Sequence, residues 1–287
     1  MKRYNFKFAE TLHRNDIGLD GIIEALRGHF PPEPPSPNPK TIVTYLNGDI
    51  VEYEIEGILR ENSIPNKEDA VKVEIGNTVT RIWSSTFRNC SKLTSITIPN
   101  SMTNIENYAF SGCSGLTSIT IPNSVTILGN NAFFGCSGLI SVIIGNGITN
   151  IDQQTFMQCS NLISLTIPSS ITSIGYAAFQ SCSSLTSIII PNSVSNIEGQ
   201  AFWGCLELTS ITIENGVTSI GPRVFSFCTK LTSLIIPNSM TSMGDMAFYN
   251  SPTTVTFEGK DKTTVQGMSN FRWGIETDKI ICTDGTL

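Results

Sequence analysis

Cysteine recurs every 23 residues along the middle of this 287-residue chain, at Cys90, Cys113, Cys136, Cys159, Cys182, Cys205 and Cys228. A regular thiol row suggests either a disulfide framework or a thiolate metal site. Both need a geometry that a repeat denies. Residues at one position of stacked turns point the same way, about 4.8 Å apart if strands set the spacing. A disulfide instead draws its Cβ atoms to about 3.8 Å, and zinc needs ligands converging from different directions. The thiols are therefore expected to be free and buried in a small apolar slot, with no metal and no cofactor.

Catalysis lacks its parts. The two histidines, His13 and His29, precede a proline run, so the many serines of the repeats have no base beside them. Between Phe87 and Asn250 the acids are Glu106, Asp152, Glu198, Glu207, Glu214 and Asp245. The first three share one repeat position, two turns apart. Strand spacing puts them about 10 Å from one another, close to the roughly 5–9.5 Å between the carboxyls of glycosidases. The turns between carry Gly129 and Gly175 there, which reads as a bend that accepts either residue. No glycine-rich phosphate loop or calcium loop is present. The expectation is a chain that is not an enzyme.

The elements that hold these residues follow from the period. Phenylalanine recurs at 87, 110, 133, 156, 179, 202, 225 and 248, each followed three residues later by the cysteine or, last, by Ser251. Leucine keeps step from Leu93 to Leu231, and isoleucine from Ile98 to Ile236. One repeat reads Leu116-Thr-Ser-Ile119-Thr-Ile121-Pro122-Asn123, then Val125, Leu128-Gly129 and Ala132-Phe133. The alternation near Ile119 and Ile121 is that of a short strand, and Pro122 ends it because proline cannot donate to a ladder. Each turn has an apolar face it cannot bury alone, so the turns must stack.

The run Leu231, Leu234, Ile236, Pro237, Met240, Met243, Gly244, Ala247, Phe248 resembles the repeat of the BspA-like bacterial leucine-rich-repeat family. The commoner leucine-rich repeat places asparagine or cysteine three residues beyond the strand, and no such row exists here. The resemblance spans roughly residues 71–250. It implies a repeat solenoid, a β-rich right-handed coil of about eight 23-residue turns, with a β-hairpin N-terminal cap and an α/β C-terminal cap. It also implies surface adhesion and protein binding, at a cell surface or outside the cell. Met1–Glu10 carries Lys2, Arg3 and Lys7 with no apolar run behind them, so no classical secretion signal is expected.

Two rows are candidate contact surfaces. By strand alternation, Thr97, Thr120, Ile143, Thr166, Ile189, Thr212 and Ile235 face outward beside a serine row from Ser95 to Ser233. The second row follows each core phenylalanine: Arg88, Ser111, Phe134, Met157, Gln180, Trp203, Ser226 and Tyr249. It varies while its neighbours stay fixed. Phe134, Met157, Trp203 and Tyr249 have no evident core slot and are of the types enriched at contacts; the competing reading is local packing at a loose turn.

Outside the array, residues 1–30 are non-repetitive, and residues 20–27 could form a short docking helix with Asp20 as N-cap. Residues 31–39 hold six prolines, a stiff linker. Ile42–Leu46 and Ile50–Ile55 flank Asn47-Gly48, a two-residue hairpin signal, so residues 40–70 are expected to cap the first turn. Residues 251–287 are expected to close the last with a strand at Val255–Phe257, a short helix over 263–273 and a strand at 279–282.

With 15% charged residues and a net charge of −6, the chain has no electrostatic footprint for nucleic acid. No apolar run approaches the roughly 18 residues of a membrane span. The expected function is a protein-binding, adhesin-like scaffold with an unidentified partner. The alternatives are a structural component of a surface or virus-particle assembly anchored through residues 1–30, and a carbohydrate-binding protein. Only Trp203 near Glu207 points to the last.

Overall fold

The computed structural model describes residues 38–268 and 273–287. The expected docking helix, and all of the proline run before Asn38, lie outside these. The described chain is a β-solenoid of about ten turns. The two beyond the eight expected come from stacked strands at either end, which lack the phenylalanine by which turns are counted in the sequence.

Each turn contributes to two parallel ladders. The longer strands include Ala70–Glu74, Ser95–Thr97, Ser118–Ile121, Ser141–Ile144, Ser187–Ile190, Ser210–Ile213 and Ser233–Ile236. The long strands fall into four sheets, within which parallel neighbours pair in register one repeat apart, as Ser141 with Ser118 and Ile144 with Ile121. Their alternating residues are buried and exposed, which places the isoleucine rows inward. The shorter strands begin at Gly57–Leu59 and Val79–Ile82 and recur as two-residue pieces to Ser242–Met243.

The third side carries the phenylalanines. Phe87 to Phe248 are fully buried. Their rings stack at centroid separations of 5.2–5.7 Å, nearly parallel as far as Phe225 and tilted by 24° between Phe225 and Phe248, within the range favoured by offset aromatic pairs. Each ring is wrapped by two successive turns closed by left-handed residues. Ser85 and Asn89 enclose Phe87, and Ala177 and Ser181 enclose Phe179, all at φ near +60°. This backbone aims alternate N–H groups at the next turn: Ser85 donates to Asn107, Phe87 to Ala109 and Asn89 to Ser111 at 2.7–3.0 Å.

The thiols are free and buried, as expected, but the slot is not simply apolar. Cys113 Sγ donates to the Phe87 carbonyl at 3.0 Å, and the same bond recurs from Cys136 to Phe110 and from Cys182 to Phe156. Where the cysteine row ends, Ser251 Oγ makes it to Phe225 at 2.6 Å. The position selects a small donor. Burial pushes the Cys182 and Cys228 thiols up to about 12 and Cys90 to about 11.

At the first turn, Thr41–Tyr45 pairs antiparallel with Ile50–Tyr53 and with Ala70–Glu74. The connecting loop is longer than the two residues expected. Only Gly48 has positive φ, at 90°, while Asn47 Oδ1 accepts from the Asp49 N–H at 3.0 Å. That local bond, from a side chain to its own backbone two residues on, is the kind asparagine commonly makes in turns. At the last turns, Thr254–Phe257 continues the long-strand ladder and Ile280–Cys282 stacks parallel on it. A helix spans Lys262–Gly267, its N-terminus capped by Asp261 accepting from Thr264 N–H at 2.7 Å. It is shorter than expected; residues 269–272 lie outside the described residues.

Candidate functional site

Two surfaces carry the residues singled out by sequence, and the solenoid treats them differently. On the long-strand face, Thr97, Thr120, Thr166 and Thr212 are exposed. Ile143, Ile189 and Ile235 are 63%, 59% and 55% exposed. Parallel register sets Ile143 beside Thr120 and Ile189 beside Thr212. The result is an uncharged strip of methyls and hydroxyls, bordered by the exposed serine row. Ile140 and Ile163, 47% and 48% exposed, flank the strip. Sequence reasoning missed them because they precede the strands, where no alternation marks them.

On the turn edge, the row after the core phenylalanine is not uniformly exposed. Tyr249 is exposed, Phe134, Met157 and Trp203 are half-buried, and Ser111 and Ser226 are buried. Trp203 packs edge-on against Phe227, centroids 5.3 Å apart, and Phe227 against Tyr249 at 5.6 Å. Phe227 was not singled out by sequence. A signal existed, since it stands at a left-handed position, φ 60°, that other turns give to Asn89, Gly112, Gly135, Ser181 and Gly204. A bulky aromatic at positive φ is a genuine outlier.

Beside this cluster runs a groove of about 530 Å³. Its polar side presents Ser137, Ser160, Ser181, Ser183 and Gln158, and its apolar end Trp203, Leu206 and Phe227. Glu207, which sequence placed near Trp203, does not line it; its carboxylate is held by Lys230.

The three acids of the shared repeat position do not act alike. Glu106 pairs with Arg81 at 3.6 Å. Glu198 accepts from the Tyr176 N–H at 2.9 Å. Asp152 is held above the usual carboxylate range by burial and then by the charge of Glu198. The glycines between do not mark a site open to either residue: a Cβ at Gly129 would lie 2.5 Å from Asn107 N, and one at Gly175 2.9 Å from the Asp152 carbonyl carbon. Backbones close in where the glycines stand. Among the described residues, no three metal-ligating side chains cluster and no helix is long and apolar enough to cross a membrane.

The ladder, the phenylalanine stack and the 23-residue register agree with a sequence profile described as BspA type leucine rich repeat region. It matches two overlapping stretches, residues 59–182 and 149–273, with six copies. The chain belongs to the BspA-type leucine-rich-repeat family. Among solved structures, this BspA-type chain is similar to the T. pallidum leucine rich repeat protein TpLRR. The two are 25% identical with a TM-score of 0.53, over 66% of this chain and 86% of the other. A leucine-rich repeat protein from Bacteroides ovatus matches at 22% identity and TM-score 0.32, over 84% and 81%. The pneumococcal vaccine antigen PcpA matches at 22% and 0.41, over 74% and 62%. A search of curated proteins finds no match.

Proposed function

We propose that this BspA-type solenoid is a non-catalytic scaffold that binds a protein partner, in the manner of an adhesin, through its long-strand face. The carrying observation is the uncharged strip on which Ile143, Ile189 and Ile235 stand more than half exposed. Apolar residues held on a rigid face at fixed spacing lose little freedom on contact, and their removal from water stabilises a complex. A partner with a neutral, partly apolar surface fits such a strip; a strongly charged one gains nothing from it.

The test is a crosslinking pull-down from the native source with full-length protein beside an Ile143→Thr, Ile189→Thr, Ile235→Thr variant. Threonine already occupies this row in other turns, so the variant keeps its fold. The reading expects a specific partner that the variant loses. A partner captured equally by both proteins would sink the strand face as the contact. One kept by the variant but lost on deleting residues 1–30 would move the attachment to the N-terminal segment.

A further inference from the structure

We infer that the turn-edge groove ending at Trp203, Leu206 and Phe227 is a binding site for a neutral, extended glycan chain, separate from the strand face. Four observations carry this. First, no charged side chain lines the groove, which matches a ligand without charge. Second, its polar side is a row of hydroxyls that rises one turn at a time, Ser137, Ser160 and Ser183, with Ser181 and the Gln158 amide alongside. Hydroxyls and amides both donate and accept, which suits sugar hydroxyls. Ser183 Oγ is engaged with the Ser160 carbonyl at 3.3 Å. Among the described residues, none hydrogen-bonds the hydroxyls of Ser137, Ser160 or Ser181 or the amide of Gln158.

Third, the apolar end offers aromatic surface against which the C–H face of a pyranose ring packs. Gly204, with no side chain, lines the groove beside the edge-on Trp203–Phe227 pair. Fourth, the aromatic wall is maintained against local backbone preference. Phe227 holds φ near 60° where other turns place glycine, asparagine, serine or glutamine, and such strain gathers at sites with a role beyond folding. The repeat spacing fits as well: ring centroids on successive turns of the phenylalanine stack are 5.2–5.7 Å apart, comparable with one sugar unit of an extended chain. A chain laid along the groove meets one hydroxyl per unit and ends against the aromatics.

The repeat supplies fold-preserving variants. Trp203→Gln copies Gln180, Phe227→Asn copies Asn89 and Asn250, and Leu206→Ser copies Ser183. Calorimetry on full-length protein would use cellohexaose and chitohexaose as neutral probes and oligogalacturonate as the charged control. At least one neutral hexamer should bind, with affinity falling as the chain is shortened below four units. Trp203→Gln and Phe227→Asn should each weaken binding tenfold or more, while the three strand-face threonine substitutions leave it unchanged. Three outcomes would overturn the inference: neither neutral hexamer binds, the charged oligomer binds equally well, or the groove variants bind as the parent does. A groove variant that loses a protein partner but no oligosaccharide would assign the groove to protein contact instead.

Discussion

One step along the rod does different things on its two surfaces. On the long-strand face it exchanges threonine for isoleucine and back, and the neighbouring serine does not change. On the turn edge the same step runs from Gln180 to Trp203 to the buried Ser226 to Tyr249. The strand face is tied on both sides, by ladder hydrogen bonds in register and by isoleucines packed beneath, so only residues suited to a pleated surface persist. At the turn edge the backbone is held by the left-handed residues and their N–H bonds to the next turn, and the side chain is released from the ladder. The turn edge is thus free to vary widely, whereas the strand face is limited to strand formers, and there it is the choice of exposed isoleucine over threonine that bears on contact.

The largest break in that comparison comes from the interior both surfaces share. Phe156→Asp places a carboxylate between rings stacked at 5.5 Å on either side. Burying an unpaired charge costs several kcal/mol, comparable with the whole stability of a domain. The variant should be unfolded by circular dichroism; an unchanged melting temperature would mean the stack is not the core.

Alkali should act on the same interior through the thiols. The ordinary thiol value is 9.0, and burial raises Cys182 and Cys228 to about 12. The folded chain therefore keeps protons that the unfolded chain releases above pH 9, and stability falls as pH rises. This contribution is fully present below about pH 9 and is lost progressively toward pH 12. Denaturant midpoints at pH 8 and pH 10.5 should differ, and less so in Cys182→Ser, Cys228→Ser, since Ser251 shows that a hydroxyl can make the same carbonyl bond. An equal pH dependence in parent and variant would contradict this.

How much of this was legible depended on whether a residue's role repeated. The stack, the strands and the free thiols follow from spacing, because each turn poses the same packing problem with the same answer. The thiol's bond to a carbonyl one turn back was not legible, since no local pattern shows a donor's partner 26 residues away. Phe227 was overlooked because the left-handed conformation of its row is set by the coil, and its residue types, which also include glycine, asparagine, serine and glutamine, form no single ladder to mark it. The acid and glycine alternation was misread as tolerance because a one-dimensional pattern does not show how near the previous turn lies.

That last point gives a smaller effect. Gly129→Ala would set a Cβ 2.5 Å from Asn107 N and 2.6 Å from the Glu106 carbonyl carbon. The neighbouring turn must shift, at about 1–3 kcal/mol by comparison with overpacked cores. A chemical melt showing no loss of stability would restore the reading of this position as a permissive bend.

The smallest effect is also the one that separates the two surfaces most directly. Ile189→Thr alone changes a side chain that is 59% exposed and whose register partner, Thr212, is already threonine. Stability should move by no more than about 0.5 kcal/mol, as for exposed substitutions away from caps and cores. Partner capture should nonetheless weaken, because the isoleucine contributes its methyls to the contact rather than to the coil. A substitution that lowers the melting temperature while leaving capture intact would reverse the assignment: the isoleucines would then be strand formers with no outward role, and the strip would join the interior as part of what the fold requires.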